Sequence, residues 1–270
     1  MKKTLYVSDL DGTLLNNSAR LSDFTRKTLE SLMAQGVSFT YASARSYVSA
    51  SSVLDGFEPT IPSIIYNGTF VRACNGKLSL VDKFKDGEAR VILSKLISAG
   101  ICPLVYAFID DKELFSYVED DLRDGVLEFV NEHLDDPRRN PTSADKLDLG
   151  EIFHFTCIDS EERLIPLYEA LKDEHQCVYY KEQYSGRWWL EIHPQGATKA
   201  NAILKLKSML GADRVVCFGD GVNDISMFEV CDECYAPSNA QDEVKAIANA
   251  IIDSNENDGV AKWLLGNLGE

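Results

Sequence analysis

The apolar run Leu5-Tyr6-Val7 breaks off into Asp9-Leu10-Asp11-Gly12-Thr13, and this junction constrains the fold more than any other stretch. A buried strand that runs out into two acids and a glycine turn places carboxylates at a sheet edge, where a ligand can reach them. Residues two apart on an extended chain face the same way, so Asp9 and Asp11 converge on one small site. Adjacent carboxylates repel unless a cation or a shared proton intervenes, which points to a metal site, an acid/base dyad, or both. Gly12 and Thr13 let backbone N–H groups come close to an anion. An EF-hand loop is a poor alternative, because Thr13 takes a ligand position and Arg20 stands where the bidentate glutamate belongs.

The first 82 residues alternate strand and helix. Strands are expected over Thr4–Ser8, Val37–Ala42 and Ser63–Tyr66, the last closed by Asn67-Gly68, with helices over Leu21–Gln35 and Ser46–Leu54. The rhythm returns late in the chain. Thr198 caps a helix that Gly211 ends, Arg214–Phe218 is a strand, Asn223–Val230 a helix, Ala250–Asp253 a strand and Gly259–Leu268 a closing helix. Strands separated by helices imply right-handed crossovers and a doubly wound parallel sheet, an α/β core of Rossmann-like type.

The middle differs. Ala89–Ala99, Leu122–His133 and Glu161–Lys172 read as helices. Leu104–Ile109 and Leu114–Val118 form a hairpin, Asp135–Asp145 is a polar loop, and Glu151–Ile158 and Cys177–Glu182 are strands. This predicts an inserted α+β domain over 84–186, with 1–83 and 187–270 forming the core. In Trp188–His193 a strand puts Trp188, Leu190 and Ile192 on one face and Trp189, Glu191 and His193 on the other; core packing is the expected use of at least one tryptophan.

Several polar residues share the topology of Asp9. The second core strand ends at Ser43-Ala44-Arg45, and Arg214–Phe218 ends at Gly219-Asp220-Gly221-Val222-Asn223-Asp224. Lys199 opens its helix. All strand C-termini of a parallel sheet lie along one edge, so Asp9, Asp11, Ser43, Lys199 and Asp220 are expected to meet. Asp9, Asp220 and one backbone carbonyl offer the hard oxygens that Mg²⁺ takes. Ser43 with neighbouring N–H groups, and Lys199, suit phosphoryl oxygens, and such parts fit phosphoryl transfer. Arg45 and Asn67 are candidate substrate contacts.

Composition narrows the partners. With 27 basic and 43 acidic residues the net charge is −16, which disfavours nucleic acid and anionic membranes. An anionic substrate then needs a local cation. No apolar run approaches a membrane span, and the stretch after Met1-Lys2-Lys3 is too short for a signal peptide, so a cytoplasmic protein is expected. Seven cysteines without a framework fit reduced thiols. Cys231-Asp232-Glu233-Cys234 has no second pair to complete a zinc site and reads as buried structural thiols. Oligomeric state has no signature in the sequence.

The ordered set Asp9-Leu10-Asp11-Gly12-Thr13, Ser43, Lys199 and Gly219-Asp220-Gly221-Val222-Asn223-Asp224 resembles the haloacid dehalogenase (HAD) superfamily phosphatases. The similarity is to the Cof-like branch, which carries a large cap between the second and third motifs. Asn67-Gly68, Leu190-Glu191-Ile192 and Asn257-Asp258-Gly259-Val260 also resemble that branch. Where the branch usually has Thr-Gly-Arg, this chain has Ser43-Ala44-Arg45.

The resemblance implies a HAD core with an inserted α+β cap that selects the substrate. Asp9 would be the nucleophile and Asp11 the acid/base. Mg²⁺ would sit on Asp9, Asp11 (through its carbonyl) and Asp220, with Asp224 supporting the metal shell. Phosphate would be held by Ser43, Lys199 and Asn223 and at Leu10 and Ala44. The implied activity is hydrolysis of a small phosphorylated metabolite, a sugar phosphate among the candidates, through a phospho-aspartyl intermediate. A phosphotransferase or phosphomutase, and a non-catalytic phosphometabolite-binding regulator, are the alternatives.

Overall fold

The protein is described by a computed structural model, covering residues 3–181 and 186–268. Thr4–Ser8 is the strand expected, and it pairs in parallel with Ser38–Tyr41 on one side and Arg214–Phe218 on the other. Glu233–Pro237 and Ala250–Ile252 extend the sheet beyond Arg214–Phe218, giving five parallel strands among the described residues. A single parallel bridge, Ala42 to Ile64, adds Ser63–Ile65 at the far edge. The strand order therefore reverses between Thr4–Ser8 and Arg214–Phe218, the place where doubly wound sheets bind ligands.

Alternation along these strands explains the two layers. Leu5, Val7, Val215 and Cys217 are fully buried in a cluster with Ile203 and Leu206 of the helix Lys199–Leu210. Tyr6 and Phe218 point the other way and meet Trp263 of the helix Gly259–Leu268. The helix Asp23–Ala34 starts at Ser22, whose hydroxyl accepts from the Thr25 N–H. Ser22 and Thr25 also donate to Asp258, so the Asn257-Asp258-Gly259 motif ties the first helix to the last.

Residues Asp82–Gly196 form a second compact unit. Among the described residues its six-stranded sheet runs in the order Gln176–Lys181, Trp188–His193, Glu151–Asp159, Leu104–Ile109, Lys112–Val118 and Arg139–Thr142. All neighbours are antiparallel except the last pair. One face of the sheet (Val105, Phe155, Cys157, Leu190, Ile192) is packed in a core with the helices Glu88–Ser98 and Glu161–Leu171.

Five expectations need correction. The boundary expected at 186/187 lies at 196/197, because Trp188–His193 pairs with Gln176–Lys181 and Glu151–Asp159 inside the second sheet. Arg139–Thr142, read as loop, is an edge strand, a position that tolerates Pro141. Phe70–Arg72, Leu78–Leu80 and Glu233–Pro237 are strands that had no assignment, and the helix expected over Asn223–Val230 is a turn of 3₁₀ helix followed by Ile225–Phe228. Cys217 and Cys231, expected as thiols, are joined in a disulfide. The strand end and the chain returning from Ile225–Phe228 bring their Cα atoms to 6.3 Å, within bridging range. Glu182, expected as the end of a strand, lies outside the described residues.

Candidate active site

The parallel sheet delivers three loop starts to one edge. The Asp9 N–H donates to the Phe218 carbonyl at 2.9 Å, which extends the ladder and fixes Asp9 beside the loop that begins at Gly219. The Ala42 N–H donates to Ser8 in the same way, so Ser43 follows on the other side. Lys199 opens its helix behind the cap Thr198, whose hydroxyl accepts from the Asn201 N–H at 3.1 Å.

Lys199 is the hub. Its Nζ donates to Asp9 Oδ1 and to Asp224 Oδ1, both at 2.6 Å, and the three side chains are almost wholly buried. Asp224 Oδ2 accepts from the N–H groups of Asp220 and Gly221 at 2.9 and 3.0 Å. Asp224 thus holds both the loop and the lysine. Asp220 Oδ1 accepts from the Thr13 hydroxyl at 2.6 Å. Gly12 has φ +75°, and a Cβ there would collide with the Asp220 carboxylate, so a glycine is required for this approach.

The charges do not balance. Burial raises the Asp9 carboxyl well above its usual range, with Asp224, Asp220 and Asp11 adding to the effect and Lys199 opposing it. Burial also pushes Asp220 up to about 6, against the Thr13 hydrogen bond and with Asp224 adding. For Lys199 burial acts against the charge, but Asp224 and Asp9 outweigh it and hold the ammonium above its ordinary range. One lysine, bonded to two of them, stands among three carboxylates, Asp9, Asp220 and Asp224, which each bring an oxygen within 4.8 Å of the others. An all-oxygen, over-negative cluster is the donor set that a hard divalent cation fits.

Asp11 lies apart from that cluster's hydrogen bonds. Arg45 grips both of its oxygens, Nε on Oδ2 and Nη2 on Oδ1, each at 2.7 Å, and Arg45 Nη1 donates to Ser49 at 2.8 Å. The sequence offered Arg45 as a substrate contact, whereas the structure sets it on Asp11. Ser43 is fully buried, and its hydroxyl accepts from the Arg45 N–H at 3.1 Å. Ala44 is exposed and outside the positive-φ region, so alanine fits where the related pattern has glycine. Asn223 donates to Asn67 at 3.3 Å, and Leu10 is buried next to Asp9.

Sequence reasoning missed Asn239, which donates to the Gly12 carbonyl at 2.7 Å. It follows the unassigned strand Glu233–Pro237, and no local pattern marks it. It also gave Gly68 no physical reason. Gly68 has φ +98°, and a Cβ would fall on the backbone of Thr198 and Lys199. Gly68→Ala should push the start of the Lys199 helix and cost roughly 1–3 kcal/mol by overpacking. Urea denaturation measures this, and an unchanged midpoint would show that the two backbones separate freely.

The chain is similar along nearly its whole length to known proteins. A 5-amino-6-(5-phospho-D-ribitylamino)uracil phosphatase of Bacillus subtilis (strain 168) is 29% identical over 272 residues, 97% of each chain. A second B. subtilis phosphatase of the same description is 27% identical over 278 residues, 95% of each chain. The crystal structure of a Thermotoga maritima protein superposes with a TM-score of 0.78 at 26% identity, covering 99% of this chain and 98% of that one. A haloacid dehalogenase-like hydrolase from Bacteroides thetaiotaomicron shares the fold, with a TM-score of 0.80 at 24% identity over 99% of this chain and 100% of that one. The family model for haloacid dehalogenase-like hydrolases matches residues 6–264, nearly the whole chain, and the protein belongs to that family of hydrolases.

Proposed function

We propose that the protein is a Mg²⁺-dependent phosphatase that acts on a small phosphorylated metabolite of the sugar-phosphate class, through a phosphoryl group carried on Asp9. The observation that carries this reading is the buried Asp9 at the point of strand reversal, joined by Lys199 to Asp224 and flanked by Asp220. The ribityl phosphate in the names of the two Bacillus relatives, an alkyl phosphate on a polyol, supports the substrate class.

In this reading the Asp9 carboxylate attacks phosphorus, an Asp9 O–P bond forms, and the bond to the substrate's alkoxide oxygen breaks. Asp11 gives its proton to that oxygen. Asp11 then takes a proton from water, which attacks the same phosphorus, frees the Asp9 carboxylate and releases inorganic phosphate. Both Asp11 oxygens sit in the Arg45 fork, so Asp11 has to give up at least one of those bonds to act. Lys199, Ser43, Asn223 and the backbone at Leu10 and Ala44 hold the phosphoryl oxygens. Mg²⁺ held by Asp9, the Asp11 carbonyl and Asp220 supplies positive charge against the phosphoryl group.

Incubation of the purified protein with a panel of phosphometabolites, with and without Mg²⁺, tests this reading. Inorganic phosphate should appear only with Mg²⁺ and fastest from sugar or polyol phosphates. Transfer of the phosphoryl group to an added sugar in place of release would make the protein a transferase. Asp11→Asn should slow alkyl phosphates by about 10²–10⁴-fold but nitrophenyl phosphate far less, because only the poor leaving group needs a proton. Equal losses on both would confine Asp11 to the metal site.

A further inference from the structure

The sheet of the second unit carries chemistry on the face opposite its apolar core. His154 lies on the strand Glu151–Asp159, and Glu191 and His193 lie on its neighbour Trp188–His193. The antiparallel register sets Glu191 opposite Thr156 and Ile192 opposite Phe155, which brings His193 alongside His154. Alternation puts Glu191 on the same face as His193. All three are buried, at 4, 8 and 0% exposure for His154, Glu191 and His193. The two imidazoles stack with centroids 4.2 Å apart, and Tyr106 stacks on His154 at 4.7 Å. His193 Nε2 lies 3.5 Å from Glu191 Oε2, and one ligand atom from each of the three residues falls within 4.8 Å of the other two.

We propose that His154, Glu191 and His193 form a binding site for a divalent transition-metal ion of the Zn²⁺ class. Two imidazoles and one carboxylate make a donor set that zinc and its neighbours take, whereas Mg²⁺ and Ca²⁺ take oxygens. This chemistry separates the site from Asp9, Asp220 and Asp224, and it stands whether or not the protein is a phosphatase. In a tetrahedral zinc site the ligand atoms are roughly 3.3 Å apart, for bonds of about 2.0–2.1 Å. The His193–Glu191 distance is already near that value, and the stacked rings would have to turn for both nitrogens to face one ion. The ligands stand on two hydrogen-bonded strands, a platform that is ordered before any ion arrives. Thr156 Oγ1, 3.1 Å from His154 Nε2, is an outer partner of the kind that orients a ligating imidazole.

The competing use of these residues is aromatic packing, and His154→Phe distinguishes the two because it keeps a ring beside Tyr106 and removes the donor. Metal-depleted full-length protein in excess Mg²⁺ is titrated with Co²⁺ and followed by its visible d–d absorption. One Co²⁺ per chain should bind and be displaced by Zn²⁺. His154→Phe and Glu191→Gln should each weaken binding by at least about tenfold. Asp220→Asn should leave it in place. X-ray absorption of the Zn²⁺-loaded wild-type protein should show imidazole scattering, a measurement that needs no variant to fold. An all-oxygen shell, loss of the Co²⁺ signal in Asp220→Asn, or undiminished affinity in folded His154→Phe would each overturn the proposal.

Discussion

Asp9→Asn should lose phosphatase activity by at least about 10³-fold while the protein keeps its fold. The amide occupies the same volume and still offers Lys199 an oxygen, so the buried contact at 2.6 Å has a replacement. It cannot form the acyl phosphate, because an amide oxygen is a poor nucleophile. Phosphate release under saturating substrate, beside circular dichroism of the same preparation, makes the comparison. A folded variant with near-normal turnover would remove Asp9 from the chemistry and the phosphoryl-enzyme with it.

Lys199→Met should be the most damaging single change to stability. Its ammonium is the shared partner of Asp9 and Asp224, and all three side chains are excluded from water. Methionine fills much of the space but leaves the carboxylates without their cation, and breaking a buried pair in this way costs about 3–5 kcal/mol. In the proposed reaction turnover should also fall, by about 10²-fold or more, since Lys199 would no longer supply a positive charge to the phosphoryl oxygens. Urea midpoints with and without Mg²⁺ measure the first effect, and the loss should be smaller with Mg²⁺ present. An unchanged midpoint in both conditions would mean that Asp9 and Asp224 are stable without the lysine.

The parts of the site that the sequence revealed are those in which a strand and its following turn are contiguous. Thr4–Ser8 with Asp9, Arg214–Phe218 with Asp220, and Thr198 with Lys199 each declare themselves through an apolar run and a cap or glycine. What stayed hidden depends on residues distant in the chain. The grip of Arg45 on Asp11, the hold of Asn239 on the Gly12 carbonyl and the Cys217–Cys231 bridge have no local pattern. Glu233–Pro237 is a strand because Val216–Phe218 lies beside it, and its own residues, ending in a proline, do not argue for one. Trp188–His193 was legible as an alternating strand, but alternation cannot say which sheet a strand joins.

The Gly196 N–H donates to the Asp82 carboxylate at 2.7 Å, which fastens together the two ends of the inserted unit. Thr4–Ser8 and Arg214–Phe218 are neighbours in the sheet although most of the chain lies between them. If Asp82–Gly196 folds first, its closed neck acts as a short cut across that interval. The loop that the parallel pairing must close is then about half as long, which lowers the entropic cost by about 0.6 kcal/mol. It also lowers the effective contact order of the core, and pairings of this non-local kind are the slow steps of α/β folding. An insertion tied at its neck can therefore grow or shrink with little effect on how fast the catalytic sheet assembles.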